Sequence, residues 1–257
     1  RAAAGDESWD AALSGQREFA EAIFEQIKGF SEYGFPESHA ASFALLVYAS
    51  CWIKCHHPAE FLAAMLNSQP LGFYSASQLV QDAKRHGVEV RRVDVMSSEW
   101  DCTLEGLPHP PAVRLGLRLV AGLKAESALR ILQARRERPF DGAEDLARRA
   151  EIEQHEMTLL AAADALAWLA FDRRQQVWEA AGQRSAPQLL KQAPVNEEEL
   201  ELPAAPEGEE VVWDYAATGL TLRRYPLAIL RPVLAKQGWC TAAELHDLPD
   251  GRLARAC

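Results

Sequence analysis

The sequence lacks the features of membrane-inserted, secreted and disulfide-stabilised proteins. Its apolar run from Ser38 to Ile53 has sixteen residues without a charged side chain, which is short of the roughly 20 needed to cross a bilayer. The first ten residues are small and charged, so they do not resemble a secretory signal. Five cysteines, an odd number without a framework spacing, indicate reduced thiols. We therefore expect a cytoplasmic protein without a membrane contact.

Positive charge is also scarce. The 257 residues include 27 Lys and Arg against 37 Asp and Glu, a net charge of -10. This excludes a globally basic nucleic-acid-binding protein but allows a local basic patch. Hydrophobic residues make up 48% of the chain, enough for the core of one large domain or of two to three small ones.

No arrangement of carboxylates suits metal-dependent nucleotidyl transfer, which needs two or three Asp or Glu side chains around the metal ions. Asp94 lies on a possible strand, but the nearest Asp is Asp101. Cys51 and Cys55 share a helical face, yet no second ligand pair accompanies them as a zinc site requires. We expect both thiols to be buried as small apolar groups, and we assign no catalytic residue and no metal ligand.

The hydrophobic pattern predicts a mainly α protein with a small β element. Ser38 is expected to cap a helix that ends at His56. A short strand is predicted from Val88 to Val95, and residues 101–105 are expected to pair with 112–117. Helices are predicted at 14–30, 39–56, 59–67, 77–86, 126–138, 143–149, 153–162, 172–181 and 225–236.

Residues 187–208 combine prolines with a run of glutamates, which is typical of a solvated linker. We expect four segments: 1–100, 101–185, the acidic Pro-rich linker 186–210, and a helical part at 211–257. Because the chain starts at Arg1 and ends soon after a Pro-Asp-Gly turn, we expect it to be part of a longer protein.

One local stretch reverses the overall charge. From Arg114 to Arg138 there are seven basic residues and two acidic ones, and at its centre lies the segment LVAGLKAE, residues 119–126. A glycine between hydrophobic residues, followed by a helix, is similar to the turn of a helix-hairpin-helix motif. The first N–H groups of such a helix suit a backbone phosphate. The alternative is an ordinary turn with Gly122 beside a solvated arginine face.

A second hairpin is predicted around the turn Ala163-Asp164-Ala165. It lacks the glycine and places an aspartate in the turn, so we expect it to repel phosphate and to pack against the first hairpin. Ser38 and His39, at the start of the apolar helix, could hold an anion there or could serve only as a cap.

A long segment resembles one protein family. The run YGFPESHAASFALLVYASCWIKCHHPAEFLAAMLNSQPLGFY, followed by QLVQDAKRHGVEVRRVDV, VRLGLRLVAGL and FDRRQQVW, is similar to the fingers and later regions of bacterial C-family DNA polymerases, the polymerase III alpha subunits. The segment NSQPLGFY and Glu37, where the replicative branch usually has Lys, point to the error-prone branch.

This resemblance implies a helical fingers segment, a tandem helix-hairpin-helix domain and an approach to an OB domain. It implies that Ser38 and His39 lie near the incoming nucleotide, and that the apolar helix is a buried spine of the fingers. It also implies a duplex contact at Gly122 and at Lys124, where the family commonly has Gly. With the basic stretch, it gives a predicted DNA-binding set: Gly122, Lys124, Arg118, Arg130 and Arg135.

The resemblance further implies an error-prone DNA-directed DNA polymerase that acts in translesion synthesis, DNA repair and damage-induced mutagenesis. The whole protein would use primer-template DNA, dNTPs and Mg²⁺, with a sliding clamp and other mutagenesis factors as partners. The catalytic aspartates and the Mg²⁺ ligands would lie upstream, so this chain alone is expected to be inactive. The alternatives are a non-catalytic helix-hairpin-helix module, a helical interaction protein that does not bind DNA, and a truncated gene product.

Overall fold

A computed structural model describes residues 19–26, 28, 37–106, 110–168, 172–182 and 202–257. It divides the chain into two compact units, Arg1–His56 and His57–Cys257. The division differs from the boundary predicted at residue 100, because strands on both sides of that residue pair in one sheet.

The first unit contains helix α1, Glu37–His56, and a shorter helical stretch at 19–26. Helix α1 begins one residue before Ser38, so the predicted cap lies in the first turn instead. Every side chain from His39 to His56 is exposed, and the prediction that this helix is buried is not met in the described chain. The same exposure corrects the prediction of buried thiols, since Cys51 and Cys55 are both exposed.

The second unit is mainly helical, as predicted. It contains helices α2 (Pro58–Asn67), α3 (Ala76–Arg85), α4 (Ala125–Glu137), α5 (Ala143–Arg149), α6 (Gln154–Ala162), α7 (Arg173–Gly182), α8 (Glu207–Thr218), α9 (Pro226–Lys236) and α10 (Ala242–His246), with the 3₁₀ helix η1 (Leu117–Leu119). Each of the predicted helices in this unit is present within about two residues of its expected bounds. None of the helices in the described residues is both long and apolar enough to cross a membrane.

A small mixed sheet supports the first helices. Strand β3 (Ala112–Arg114) pairs antiparallel with β2 (Thr103–Glu105), which confirms the predicted pairing, and parallel with β1 (Val90–Arg91). A separate two-stranded parallel sheet joins β4 (Trp239–Cys240) to β5 (Arg255–Ala256). The sheet order β1-β3-β2 places β3 in the centre, and its Val113 is fully buried.

One continuous apolar cluster unites α2 to α7 with the sheet. Its fully buried members include Leu66, Val80, Leu117, Ile131 and Leu160. Residues on both sides of the hairpin glycine, Val120 and Leu123, also belong to it. The hairpin turn is therefore anchored from within the core.

The predicted linker is corrected at its C-terminal end. Residues 183–201 lie outside the described residues, but helix α8 begins at Glu207 and its Glu210 is buried. The last acidic residues of the predicted linker are thus part of a packed helix. Their charge is balanced by arginines that are distant in sequence.

Candidate nucleic-acid interface

The first hairpin is built by η1, a tight turn and α4. Gly122 has φ +82°, a left-handed conformation that glycine adopts without steric cost. The N–H of Leu123 donates to the carbonyl of Val120 at 3.2 Å, which closes the turn. Lys124 is the N-cap residue of α4 and is exposed. The turn thus leads directly into an exposed helix start, as the sequence predicted.

The start of α4 is suited to an anion. The first N–H groups of a helix have no intrahelical acceptor, and the helix dipole is positive there. The Lys124 ammonium adds a full charge, and it has no ion pair in the described part of the chain. Glu126, in the first turn, lowers the local potential, so an anion at this position depends on Lys124.

The two predicted hairpins pack against each other. A Cβ atom on Gly122 would lie 3.2 Å from Cδ1 of Leu159 on α6. In the second turn Asp164 has φ +57°, the left-handed conformation that Gly122 has in the first. The predicted packing of the second hairpin onto the first therefore has a direct contact.

The carboxylate of Asp164 is not a free charge. It accepts hydrogen bonds from Gln176 Nε2 at 2.9 Å, from Arg92 at 3.1 Å and from Arg223 at 3.2 Å. These partners neutralise the charge that the sequence placed in the second turn. Arg223, which supplies one of them, lies 59 residues along the chain.

The three arginines predicted to bind DNA have partners within the protein. Arg118 donates to Asp101 Oδ1 and to the Asn67 carbonyl, each at 2.7 Å. Arg130 donates to the Ala150 carbonyl at 2.9 Å. Arg135 donates to the carbonyls of Val95 and Ser98 and pairs with Glu99 at 2.8 Å. Their contact with DNA stays a prediction, and each has a structural role in the unit.

Lys124 and Arg136 are the exposed basic residues of the Arg114–Arg138 stretch that form no ion pair in the described residues. Arg114 is held by Glu105, and Arg138 by Asp141 and Asp145. The unengaged positive charge of the stretch is therefore much smaller than its composition indicates.

Helix α8 is hydrogen-bonded to the turn of the first hairpin. The N–H of Ala121 donates to the carbonyl of Ala217 at 2.8 Å. Helix α8 ends at Thr218 and is capped by Gly219, which has φ +72° and donates its N–H to the Tyr215 carbonyl at 3.1 Å. Ala121, which precedes Gly122, is thus hydrogen-bonded to helix α8, although the sequence predicted that the two lie in different segments.

A buried ionic cluster holds α8 in this position. Arg173 on α7 is 2% exposed; it pairs with Asp214 and, at 3.2 Å, with Glu210. Arg223 bridges the same acids, at 2.8 Å to Glu210 and at 3.4 Å to Asp214. Thr221 donates to Asp214 at 2.6 Å. Burial raises the pKa of Glu210, against the opposing effect of the two guanidinium groups.

The cluster was missed by sequence reasoning. Its members extend from Arg173 to Arg223, 50 residues further along the chain, and Glu210 belonged to a run that resembled a solvated linker. A cavity of about 360 Å³ borders the cluster and is lined partly by Arg92, Asp164 and Leu222. Among the described residues, no group of three or more His, Cys, Asp or Glu side chains is arranged to hold a metal ion.

Ser38 and His39 lie in the first turn of α1. The His39 ring meets the Phe43 ring edge to face, with centroids 4.5 Å apart. Both residues belong to the first unit, whereas the hairpin belongs to the second, and each is described separately. Their role near a nucleotide stays a prediction.

Comparison with known proteins agrees with this geometry. Residues 87–176 match the model of the helix-hairpin-helix motif. The matched range begins before β1 and extends into α7, so it covers both hairpins.

Curated relatives extend the similarity to nearly the whole chain. The chain is 56% identical over 243 residues to an error-prone DNA polymerase of Bordetella parapertussis, and 53% identical over 250 residues to that of Aromatoleum aromaticum. The matched segments cover 93% and 95% of this chain, but only 23% of the length of either relative. The chain is thus similar in sequence to one part of error-prone DNA polymerases and spans about a quarter of the length of these relatives.

Proposed function

We propose that the first hairpin binds the sugar-phosphate backbone of duplex DNA. The observation behind the proposal is the left-handed Gly122, which directs the chain into the exposed N-terminus of α4 at Lys124. A phosphate there would accept hydrogen bonds from the first N–H groups of α4 and a charge-assisted bond from Lys124. Such a contact is independent of base sequence, because every nucleotide presents the same phosphate.

For the whole protein we propose the activity that its relatives are named for, DNA-directed DNA synthesis of the error-prone type. The substrates would be primer-template DNA and dNTPs, and the context would be translesion synthesis. Mg²⁺ ions would be held by carboxylates outside this chain, so the chain alone would be inactive. Ser38 and His39 would lie near the incoming nucleotide, and a sliding clamp would be a partner of the whole enzyme.

The second candidate is a helix-hairpin-helix module that binds DNA without catalysis. The match to the helix-hairpin-helix motif at residues 87–176 supports this smaller proposal, since the motif is associated with DNA binding and not with catalysis. The two proposals share the hairpin contact. They differ in whether the complete gene encodes catalytic carboxylates, which its sequence upstream of Arg1 would reveal.

The test of the hairpin contact is duplex binding by the whole chain. Fluorescence anisotropy with a labelled 20-base-pair duplex would be recorded between about 25 and 200 mM salt. We expect a negative log–log slope that corresponds to a few phosphates. Lys124→Glu should lower the affinity at least about fivefold and make the slope shallower, because one cation is lost and one anion is added beside the phosphate.

Lys236→Glu is the matched control. Lys236 is exposed in the last turn of α9, outside the helix-hairpin-helix match, and its replacement changes the net charge by the same amount. We expect Lys236→Glu to bind duplex like the wild type. Equal losses in both variants would mean that net charge alone governs binding, and an unchanged Lys124→Glu affinity would remove the hairpin contact.

A further inference from the structure

The loop between α2 and α3 presents two aromatic side chains to solvent. Phe73 is 95% exposed and Tyr74 is 60% exposed. Their neighbour Gly72 has no atom within 4 Å of the position where a Cβ would lie. Adjacent aromatic rings at this exposure keep a large apolar surface in water, and contiguous exposed apolar surface is typical of a binding site.

Hydrogen bonds hold this aromatic loop (residues 69–74) in one conformation. The Gln69 side chain donates to the Tyr74 carbonyl at 3.1 Å and accepts from the Leu71 N–H at 2.9 Å. On the C-terminal side, Ser75 and Gln78 form a capping box at the start of α3. The loop is thus closed by one side chain and fixed to a helix start, so its exposed rings are presented at low entropic cost to a ligand.

The sequence on either side of the loop is free of acidic residues. No Asp or Glu occurs between Glu60 and Asp82 in a chain of net charge -10. The carbonyl of Asn67, two residues before the loop, accepts a 2.7 Å bond from Arg118, and Arg118 lies in η1 at the start of the hairpin. An uncharged aromatic loop is therefore tied directly to the element that enters the proposed duplex contact.

We propose that Phe73 and Tyr74 form a stacking site for unpaired bases of single-stranded DNA beside the duplex. Exposed aromatic rings stack on any base, because every base offers a π-face. No carboxylate lies in the sequence of the loop, and the Asp101 carboxylate near Asn67 is paired with Arg118. The choice of DNA over a protein ligand rests on the proposed function, through the link to the hairpin by Arg118. The stacking itself does not require the Lys124 contact.

Binding of the whole chain to an oligothymidylate of about 12 nucleotides tests the proposal. Each of Phe73→Ala and Tyr74→Ala should weaken binding at least about fivefold, while Tyr74→Phe, which keeps the ring, should bind like the wild type. Since both side chains are exposed, the alanine variants should retain the thermal midpoint of the wild type. Leu253→Ala, which removes a side chain that is 99% exposed elsewhere, is the matched control.

A second readout reports stacking directly. An oligonucleotide with one 2-aminopurine should lose fluorescence on binding to the wild type and to Tyr74→Phe, but not to the Phe73→Ala, Tyr74→Ala double variant. Unchanged affinity and quenching in the double variant would overturn the proposal. A double variant that alters self-association in sedimentation but binds oligothymidylate normally would assign the loop to a protein contact and also overturn it.

The outcome is separable from that of the hairpin experiment. Loss of single-strand binding in the Phe73→Ala, Tyr74→Ala variant with normal duplex affinity supports the stacking site, whatever Lys124→Glu does to duplex binding. Loss of duplex binding in Lys124→Glu together with normal single-strand binding in the double variant supports the hairpin alone.

Discussion

Gly116 lies where strand β3 turns toward the hairpin, and the backbone of the Trp100–Asp101 segment touches it. A Cβ atom added to Gly116 would contact the carbonyl oxygen of Trp100 and lie 2.5 Å from the carbonyl carbon of Asp101. The Gly116 N–H donates to Cys102 Sγ at 3.3 Å. The requirement for glycine here comes from packing and not from its φ, which is -81°.

We therefore expect Gly116→Ala to lower the free energy of unfolding by about 1–3 kcal/mol or more, since backbone atoms cannot move aside as a flexible side chain can. Urea denaturation followed by circular dichroism would measure it. Gly208→Ala is the control, because no atom lies within 4 Å of its added Cβ and alanine favours the helix. A Gly116→Ala protein as stable as the wild type would show that the backbone contact relaxes without cost.

In the three-stranded sheet, one carboxylate is hydrogen-bonded to two arginines on neighbouring strands. Glu105 on β2 accepts from Arg114 on β3 and from Arg91 on β1, each at 2.8 Å. The Arg114 hydrogen bond, more than that of Arg91, holds the pKa of Glu105 below its ordinary value against the opposing effect of burial. One side chain thus joins all three strands.

A lowered pKa in the folded state stabilises the protein above the ordinary pKa of the group, and this stability is lost as pH falls through the folded value. We expect Glu105→Gln to be less stable than the wild type at pH 7. The difference should begin to shrink as the pH falls below about 4.3 and should vanish below the lower pKa of the folded state. Denaturant midpoints from pH 7 to pH 3 would test this.

Glu137→Gln provides the control, since Glu137 ends α4 in an exposed position. Its midpoint should follow the wild type throughout the pH range. A Glu105→Gln difference that stays constant down to pH 3 would attribute the effect to packing and not to ionisation.

At the scale of the second unit, the ionic cluster around Arg173 joins α7 to α8. This guanidinium is buried between α7 and α8, lies over the Trp213 ring with its Cζ atom 5.8 Å from the ring centroid, and donates to the Glu210 carbonyl at 3.1 Å. Through α8 the cluster reaches Ala217, whose carbonyl fixes the residue before the hairpin glycine. Helix α8 and the residues that follow it as far as Arg223 are therefore a structural part of the unit that contains both hairpins.

Arg173→Leu should destabilise this unit by about 3–5 kcal/mol, because Glu210 and Asp214 would remain buried with Arg223 as their main counter-charge. Thermal or urea unfolding would measure the loss. Arg148→Leu removes a half-exposed arginine whose ion pair with Asp145 is 3.1 Å long, and should cost at most about 1 kcal/mol. Equal stability of the two variants would mean that the cluster does not hold α8 in place.

Local sequence patterns were sufficient to predict the helices of the second unit and the turn of the first hairpin. Hydrophobic periodicity and turn residues act over a few neighbours, so Gly122, Lys124 and the β2–β3 pairing were predictable. The resemblance to error-prone polymerases rested on contiguous motifs and was confirmed by the relatives. Composition was less reliable, because it assigned Glu207–Glu210 to a linker although these residues begin a packed helix. The DNA contact of the three arginines stays a prediction.

Tertiary structure decided which charges remain available. Arg118, Arg130 and Arg135 meet carbonyls and carboxylates 17 to 51 residues away, and Asp164 is neutralised by Arg92 and Arg223. A charged side chain forms a hydrogen bond with a partner that lies within about 3 Å. Packing of the whole unit decides which groups come that close. Local sequence specifies the hairpin, but only the folded chain leaves Lys124 as the free cation at its entrance within the described residues.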